Sequence, residues 1–227
     1  MSEWLTYGIG DFLLFSPRVY WRLFDLHNRA VWPLQVPALL LGVTILVAIV
    51  RPRPYSDRTV SAIMAAAWIW VAWSFLWTRY STINWAVIYV VPAFALEGLL
   101  FLVFGSLTGR LRMVADRSIR GGIGLALFLY GLAVHPLTAV LDGRLFQAEI
   151  FGIAPDPLAI STLGLLTLAT GGAARWLLLV PVIWCVVSGA TLVALDATEA
   201  WIPFAAVIFF IVSTLGSRGS GRRSSGP

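Results

Sequence analysis

Seven stretches of this chain run for seventeen residues or more with almost no charge: about 31–50, 59–78, 82–107, 120–141, 157–173, 175–195 and 199–215. About 20 apolar residues make one helical crossing of a bilayer's hydrocarbon core. Inside that core a single segment satisfies its backbone only by becoming a helix. The pattern therefore predicts an all-α polytopic membrane protein, a bundle of about seven transmembrane helices. Hydrophobic residues make up 59% of the chain and charged residues 12%, against roughly 25% charged in a soluble domain. Too little polar surface exists to cover a water-exposed globule. That excludes a soluble enzyme, a nucleic-acid-binding domain and a disulfide-stapled secreted module. The run at 157–173 is the weakest, being short and bracketed by Pro155, Pro157 and Gly171-Gly172. It reads either as a crossing or as a half-helix.

Orientation follows from where the basic residues fall, all of which are Arg. With seven crossings, Arg51, Arg53, Arg58, Arg110, Arg112 and Arg117 lie on one side, together with Arg120, Arg175, Arg218, Arg222 and Arg223. The other side holds Arg18, Arg22, Arg29, Arg79 and Arg144. The positive-inside rule then expects a cytoplasmic C-terminus and an N-terminus outside. The carboxylates sort oppositely. Glu3, Asp11, Asp25, Asp142, Glu149, Asp156, Asp196 and Glu199 fall outside, Asp57 and Asp116 inside, and Glu97 within the membrane.

Residues 1–30 lack the basic start and single apolar core of a signal peptide and read as an interfacial amphipathic segment. Ser16-Pro17 is a helix start. Arg18, Arg22, Asp25 and Arg29 then line one side, with Val19, Tyr20, Leu23, Phe24 and Leu26 as the apolar remainder. Trp4, Trp21 and Trp32 suit interface anchors, and His27 reads as an ordinary interfacial polar residue. Residues 31–215 form the bundle. The Ser/Gly/Arg-rich stretch 216–227 is expected to be a disordered cytoplasmic tail held near anionic lipid.

The string Ser2-Glu3-Trp4-Leu5-Thr6-Tyr7, then Asp11-Phe12-Leu13-Leu14-Phe15-Ser16-Pro17-Arg18, then Asn28-Arg29 and Trp32-Pro33 carries a resemblance. It resembles a family of uncharacterised bacterial multi-spanning inner-membrane proteins of about this length, some of them labelled permeases. The resemblance implies a bacterial inner-membrane location and brings no substrate, cofactor or catalytic residue.

Glu97 stands near the middle of the third run. A carboxylate there costs at least ~2.5–3.5 kcal/mol on insertion scales, so it is expected to be protonated, paired or facing a polar cavity. Pro92 removes a helical hydrogen bond five residues earlier, and Tyr89, Ala93 and Glu97 are spaced to share one helical face. The functional reading is a proton- or cation-binding site at mid-depth; the structural one is a neutral Glu bonded to a neighbouring helix. His135, followed by Pro136, is the second candidate for an ion pathway. Asp196 and Glu199, at the sixth-to-seventh junction, read as a helix N-cap and first-turn carboxylate, or as an outer vestibule with Asp142 and Asp156.

Trp70, Trp73 and Trp77 form a helical stripe in the second run. It serves lipid or helix packing, or makes an aromatic wall for a quinone, a carotenoid or a quaternary amine. Gly122, Ala126, Gly131, Gly164 and Gly189 are expected to let helices approach closely. The segments Trp85–Pro92 and Trp176–Pro181 echo one another three crossings apart, as inverted repeats do.

Two His and one Cys, Cys185, argue against a metal enzyme, and haem would need His27 and His135 to converge. No Lys is present, which excludes amine chemistry. Three readings follow. The first is a small transporter or channel for a cation or proton-coupled small solute. The second is an accessory or scaffold subunit, or homo-oligomer, holding lipid, quinone or pigment. The third and least supported is an intramembrane enzyme. The bilayer is the expected partner, and nucleic acid is not.

Overall fold

The computed structural model describes residues 14–220, with side chains through Thr214. Trp4, Glu3, Asp11 and the tail beyond Ser220 lie outside the described residues. Nine helices and one two-residue strand pair follow in order among the described residues.

The helix α1 (Pro17–Val31) starts where Ser16 caps it, accepting the Val19 N–H at 3.4 Å, with Pro17 in its first turn. It meets α2 (Gln35–Val50) at 92° and lies across one end of the bundle. Its apolar side is buried on protein: Tyr20, Leu23 and Phe24 are 2–5% exposed, and the Phe24 ring sits 5.0 Å from Phe75. Asn28 pins the helix, donating to the carbonyls of Phe146 at 2.8 Å and Ala148 at 2.9 Å. His27, expected at the interface, is instead buried at 2% exposure edge-on to Phe75. Burial holds its pKa down to about 4, helped by the charge of Arg79.

Four helices are long and apolar enough to cross a bilayer on their own, spanning 56–82, 85–107, 119–141 and 172–194. Three of them are 23 residues long, about 35 Å at helical rise. The first contains α3 (Ser56–Val71) and a widened turn, Ala72–Trp77, in which the Thr78 N–H donates to Trp73 O. The second contains α4 (Val91–Leu100) and a similar widening at Phe101–Leu107. The third contains α5 (Ile119–Leu129), a widened turn at Tyr130–Val134, and α6 (His135–Leu141). Here the cause is local: Pro136 has no N–H to donate, so the turn before it loosens. The fourth ends in α8 (Leu179–Ala194).

The other predicted crossings hold helices whose apolar stretch is shorter than a full span. These are α2, with 16 residues, α7 (Pro155–Leu168), with 14, and α9 (Trp201–Ser220), apolar through Thr214. The boundary expected at residue 215 therefore falls inside α9.

Every residue of α7 is buried, so it is the axis of the bundle. At about 21 Å it is too short to face lipid end to end, and it need not, because protein surrounds it. It packs on α5 through glycine: a Cβ at Gly164 would meet Gly124 O and Phe128 N, both at 2.6 Å. Gly131 and Gly189 also sit at close helix contacts. Gly122, expected to do the same, faces open space, and Ala126 is exposed. The face that approaches α7 is that of Gly124 and Gly131, where a Cβ would meet Gly164 O and Pro157 O.

Loops gather at two ends. At one end β1 (Arg112–Met113) pairs antiparallel with β2 (Ala169–Thr170). There Ala115 N–H donates to Ile49 O at 3.1 Å, and Met113 N–H donates to the Asp57 carboxylate at 2.9 Å. Arg120 closes α7 at this end, donating Nε to Thr167 O at 2.7 Å and Nη2 to Ala169 O at 3.0 Å. The other end carries α1, Tyr80 and the segment 142–154. The arginine-rich loops thus share one end and most of the carboxylates the other. The echoed segments also match locally: each leads through a 3-10 turn (Trp85–Tyr89, Gly172–Leu178) into a helix with proline in its first turn.

Candidate functional site

Three titratable side chains converge under the carboxylate-rich end. His135 opens α6 directly after the widened turn, so its position follows from Pro136. Glu149 comes from the segment between α6 and α7, held there because Asn28 captures the neighbouring carbonyl of Ala148. Asp156 stands in the first turn of α7 between two prolines.

His135 Nε2 lies 3.7 Å from Glu149 Oε2, with the two side chains only 12% and 6% exposed. That distance is an ion-pair distance, longer than a hydrogen bond. His135 Nδ1 and Glu149 Oε2 are both buried without a hydrogen-bond partner. The Tyr130 ring is 5.8 Å from the imidazole.

Asp156, by contrast, is fully engaged. Trp184 Nε1 donates to Oδ1 at 2.7 Å and Ser188 Oγ to Oδ2 at 2.5 Å. The N-terminal end of α7 adds its favourable dipole to that carboxylate.

Glu149 belongs to a loop, outside the spanning helices. Burial first, and then the charge of Asp156, raise its carboxyl pKa to about 7 against the opposing effect of His135. The result is a carboxyl that exchanges its proton near neutrality beside an imidazole with spare hydrogen-bonding capacity. Chemically, the arrangement can take up and release a proton and change the attraction between α6 and the loop when it does.

The residues expected from sequence are placed variously. Glu97 is fully buried, and neither of its carboxylate oxygens has a hydrogen-bond partner. It lies on the packed face of α4. There Phe94 stands 4.6 Å from Trp68 and 5.0 Å from Trp184, and Gly98 fits against Ala65 and Ile69. Tyr89 does not share this face. It is 71% exposed and stacks edge-on with Trp85, because the 3-10 turn before α4 turns more per residue than an α-helix. Nor does Pro92 remove a helical hydrogen bond; it opens α4, where its missing N–H has no helical acceptor to lose. No contact joins Glu97 to His135 among the described residues.

Asp196 is exposed and lies five positions before the first residue of α9, at φ 54° in the turn that ends α8. It is therefore not the N-cap, and the left-handed conformation is one that Asp tolerates. Glu199 precedes α9 and accepts the Thr198 hydroxyl at 2.8 Å. Its charge reaches Glu149, adding to that carboxyl's raised pKa.

Trp73 and Trp77 are exposed, whereas Trp70 is half-buried with its Nε1 unpartnered, and the Trp70 and Trp73 rings meet edge-on at 5.6 Å. Trp70 also lines a 330 Å³ apolar cavity with Phe151 and Ile153. The fully buried tryptophan is Trp68, donating Nε1 to Thr162 Oγ1 at 3.1 Å.

Sequence reasoning passed over Glu149, Trp184 and Ser188. The available signal was an acid flanked by Ala148, Ile150 and Phe151, too apolar a setting for an ordinary loop carboxylate. Among the described residues no group of three or more His, Cys, Asp or Glu side chains is arranged to hold a metal ion. His27 packs on Phe75 and His135 on Tyr130, and the two make no common contact. Three cavities, of about 1030, 280 and 330 Å³, are lined mainly by apolar side chains and not by Glu97, His135, Glu149 or Asp156.

Residues 17–224 match the family of unknown function DUF6064. No curated protein and no solved structure matches the chain.

Proposed function

The chain belongs to the DUF6064 family of unknown function, and from that premise we propose that it is a bacterial inner-membrane transporter for a cation or a proton-coupled small solute. The observation that carries this reading is the buried His135–Glu149 pair at 3.7 Å. A buried ionisable pair inside a membrane bundle is expensive, and such pairs mark ion and proton pathways. Glu149 exchanges its proton near pH 7, and its partner begins the helix segment that follows a loosened turn. Protonation therefore weakens an attraction at a point where the third long span is already able to bend. Glu97 supplies a second buried carboxylate.

Sidedness in this proposal rests on the arginine distribution: the β1–β2 end faces the cytoplasm and the His135–Glu149 end faces outward. The experiment is reconstitution of the purified protein in liposomes under an imposed pH gradient. Wild type is expected to carry a proton-dependent flux that Glu97→Gln and Glu149→Gln each reduce at least tenfold. The absence of any proton- or cation-dependent flux in wild type overturns the proposal.

A second reading, an accessory or scaffold subunit that holds a hydrophobic molecule, draws support from the apolar lining of the larger cavities. Purification from native membranes separates the two. A stoichiometric partner chain or bound quinone or pigment favours the second, and a ligand-free chain active alone favours the first.

A further inference from the structure

A cavity of about 1030 Å³ forms a lateral groove between α2 and the α5–α6 rod. Val36, Leu39, Val43 and Leu46 form one wall, and Leu132, Ala133, Leu137 and Val140 the other. From Gln35 to Leu46 the wall rises about 17 Å, close to half of a ~30 Å hydrocarbon core. The groove thus covers one leaflet. The two walls meet closely at Gly42 of α2, where a Cβ would collide with Leu132.

One end of the groove is polar and the other is not. At the α1 end stand Arg29, Asn28, Gln35 and the exposed ring of Trp32, the residue types of a membrane interface. The Arg29 guanidinium lies 3.9 Å over the Phe146 ring, on the rim. Its ion pair with Asp25 is solvent-exposed and so is worth little, which leaves the guanidinium free to exchange partners. The outward face of α1 presents Arg18, Arg22 and Arg29 against Asp25 alone.

We propose that this groove seats an acyl chain of an anionic phospholipid, with the phosphate held at Arg29. Leaflet-matched length selects a lipid tail, and the basic rim selects an anionic headgroup. This inference rests on the chain spanning a membrane and not on transport, so it stands or falls separately from the flux experiment.

The test uses full-length protein exchanged into vesicles of phosphoglycerol or phosphocholine lipid with identical chains, followed by native mass spectrometry of the extracted protein. The proposal expects one retained phosphoglycerol lipid per chain, preferred about fivefold over phosphocholine, the factor expected for one basic residue near a membrane surface. Arg29→Gln should abolish the preference while keeping a bound lipid. Ala133→Trp, which fills the groove from an exposed position, should remove the lipid altogether. Unchanged unfolding midpoints certify that both variants are folded. Equal retention of the two lipids by wild type, retention indifferent to both substitutions, or a second copy of the chain on this face would overturn it.

Discussion

Replacing Glu149 with Gln removes a buried loop carboxyl that titrates near neutrality. Its pKa stands at about 7 in the folded chain against an ordinary 4.5, with burial the first cause. The folded state therefore holds this proton more tightly than the unfolded state. The associated stability is complete below about pH 4.5 and is lost as pH rises through about 7. The difference between 4.5 and 7 corresponds to about 3 kcal/mol at 1.36 kcal/mol per unit, and Glu149 is only 5% exposed, so solvent screens little of it. For a chain of this size that is on the order of 10 °C in unfolding midpoint.

Glu149→Gln imitates the protonated side chain at every pH. Its midpoint should match wild type at pH 5 and exceed it at pH 8, the gap opening between the two. The assay is thermal unfolding in one detergent followed by intrinsic tryptophan fluorescence. The difference between the proteins is the readout, since every other group titrates in both. Parallel pH profiles, or a wild type that gains on the variant as pH rises, would refute the reasoning.

Three further outcomes can be read with a thiol-reactive dye at fixed pH, because the single cysteine, Cys185, is fully buried in the folded chain. Arg120→Gln should destabilise by about 1.5–3 kcal/mol, the range for hydrogen bonds from a charged donor, since two α7 carbonyls lose that donor. Arg120→Lys should restore only part, lacking the fork that reaches both. Gly164→Ala should lower the midpoint sharply because backbone atoms of α5 stand 2.6 Å from the new methyl, while Gly122→Ala, in open space, should not. Asp156→Asn should cost about 1–3 kcal/mol, since one amide oxygen cannot accept from both Trp184 and Ser188; equal stability would contradict the assigned geometry.

What was legible in the sequence was what length and solvent dictate. The helices at 56–82, 85–107, 119–141 and 172–194 lie close to their apolar runs because a lipid-facing helix has to be both long and apolar. The α7 helix was ambiguous for a physical reason: lipid and protein interior select the same apolar residues. Its enclosure shows only in buried hydroxyls such as Thr162 and Thr167, which bond back to Leu158 and Leu163 carbonyls.

Within the candidate site, His135 was visible as a polar residue in an apolar run, but Glu149 lies fourteen positions on and meets it only through the fold. Tyr89 failed as a companion of Glu97 because helical-face arithmetic assumes 3.6 residues per turn throughout, and the chain begins that span with a tighter winding. The Trp70–Trp73–Trp77 stripe differs in exposure along its length, with the helix widening at Ala72–Trp77.

Infrared difference spectroscopy between pH 5 and pH 8, on wild type and Glu149→Gln, tests the proton-exchanging pair most directly. The expected result is a protonated-carboxyl band that disappears with a midpoint near pH 7 in wild type and is missing from the variant. No carboxyl band in that interval, or the same band in both proteins, would contradict a proton-exchanging centre at His135 and Glu149.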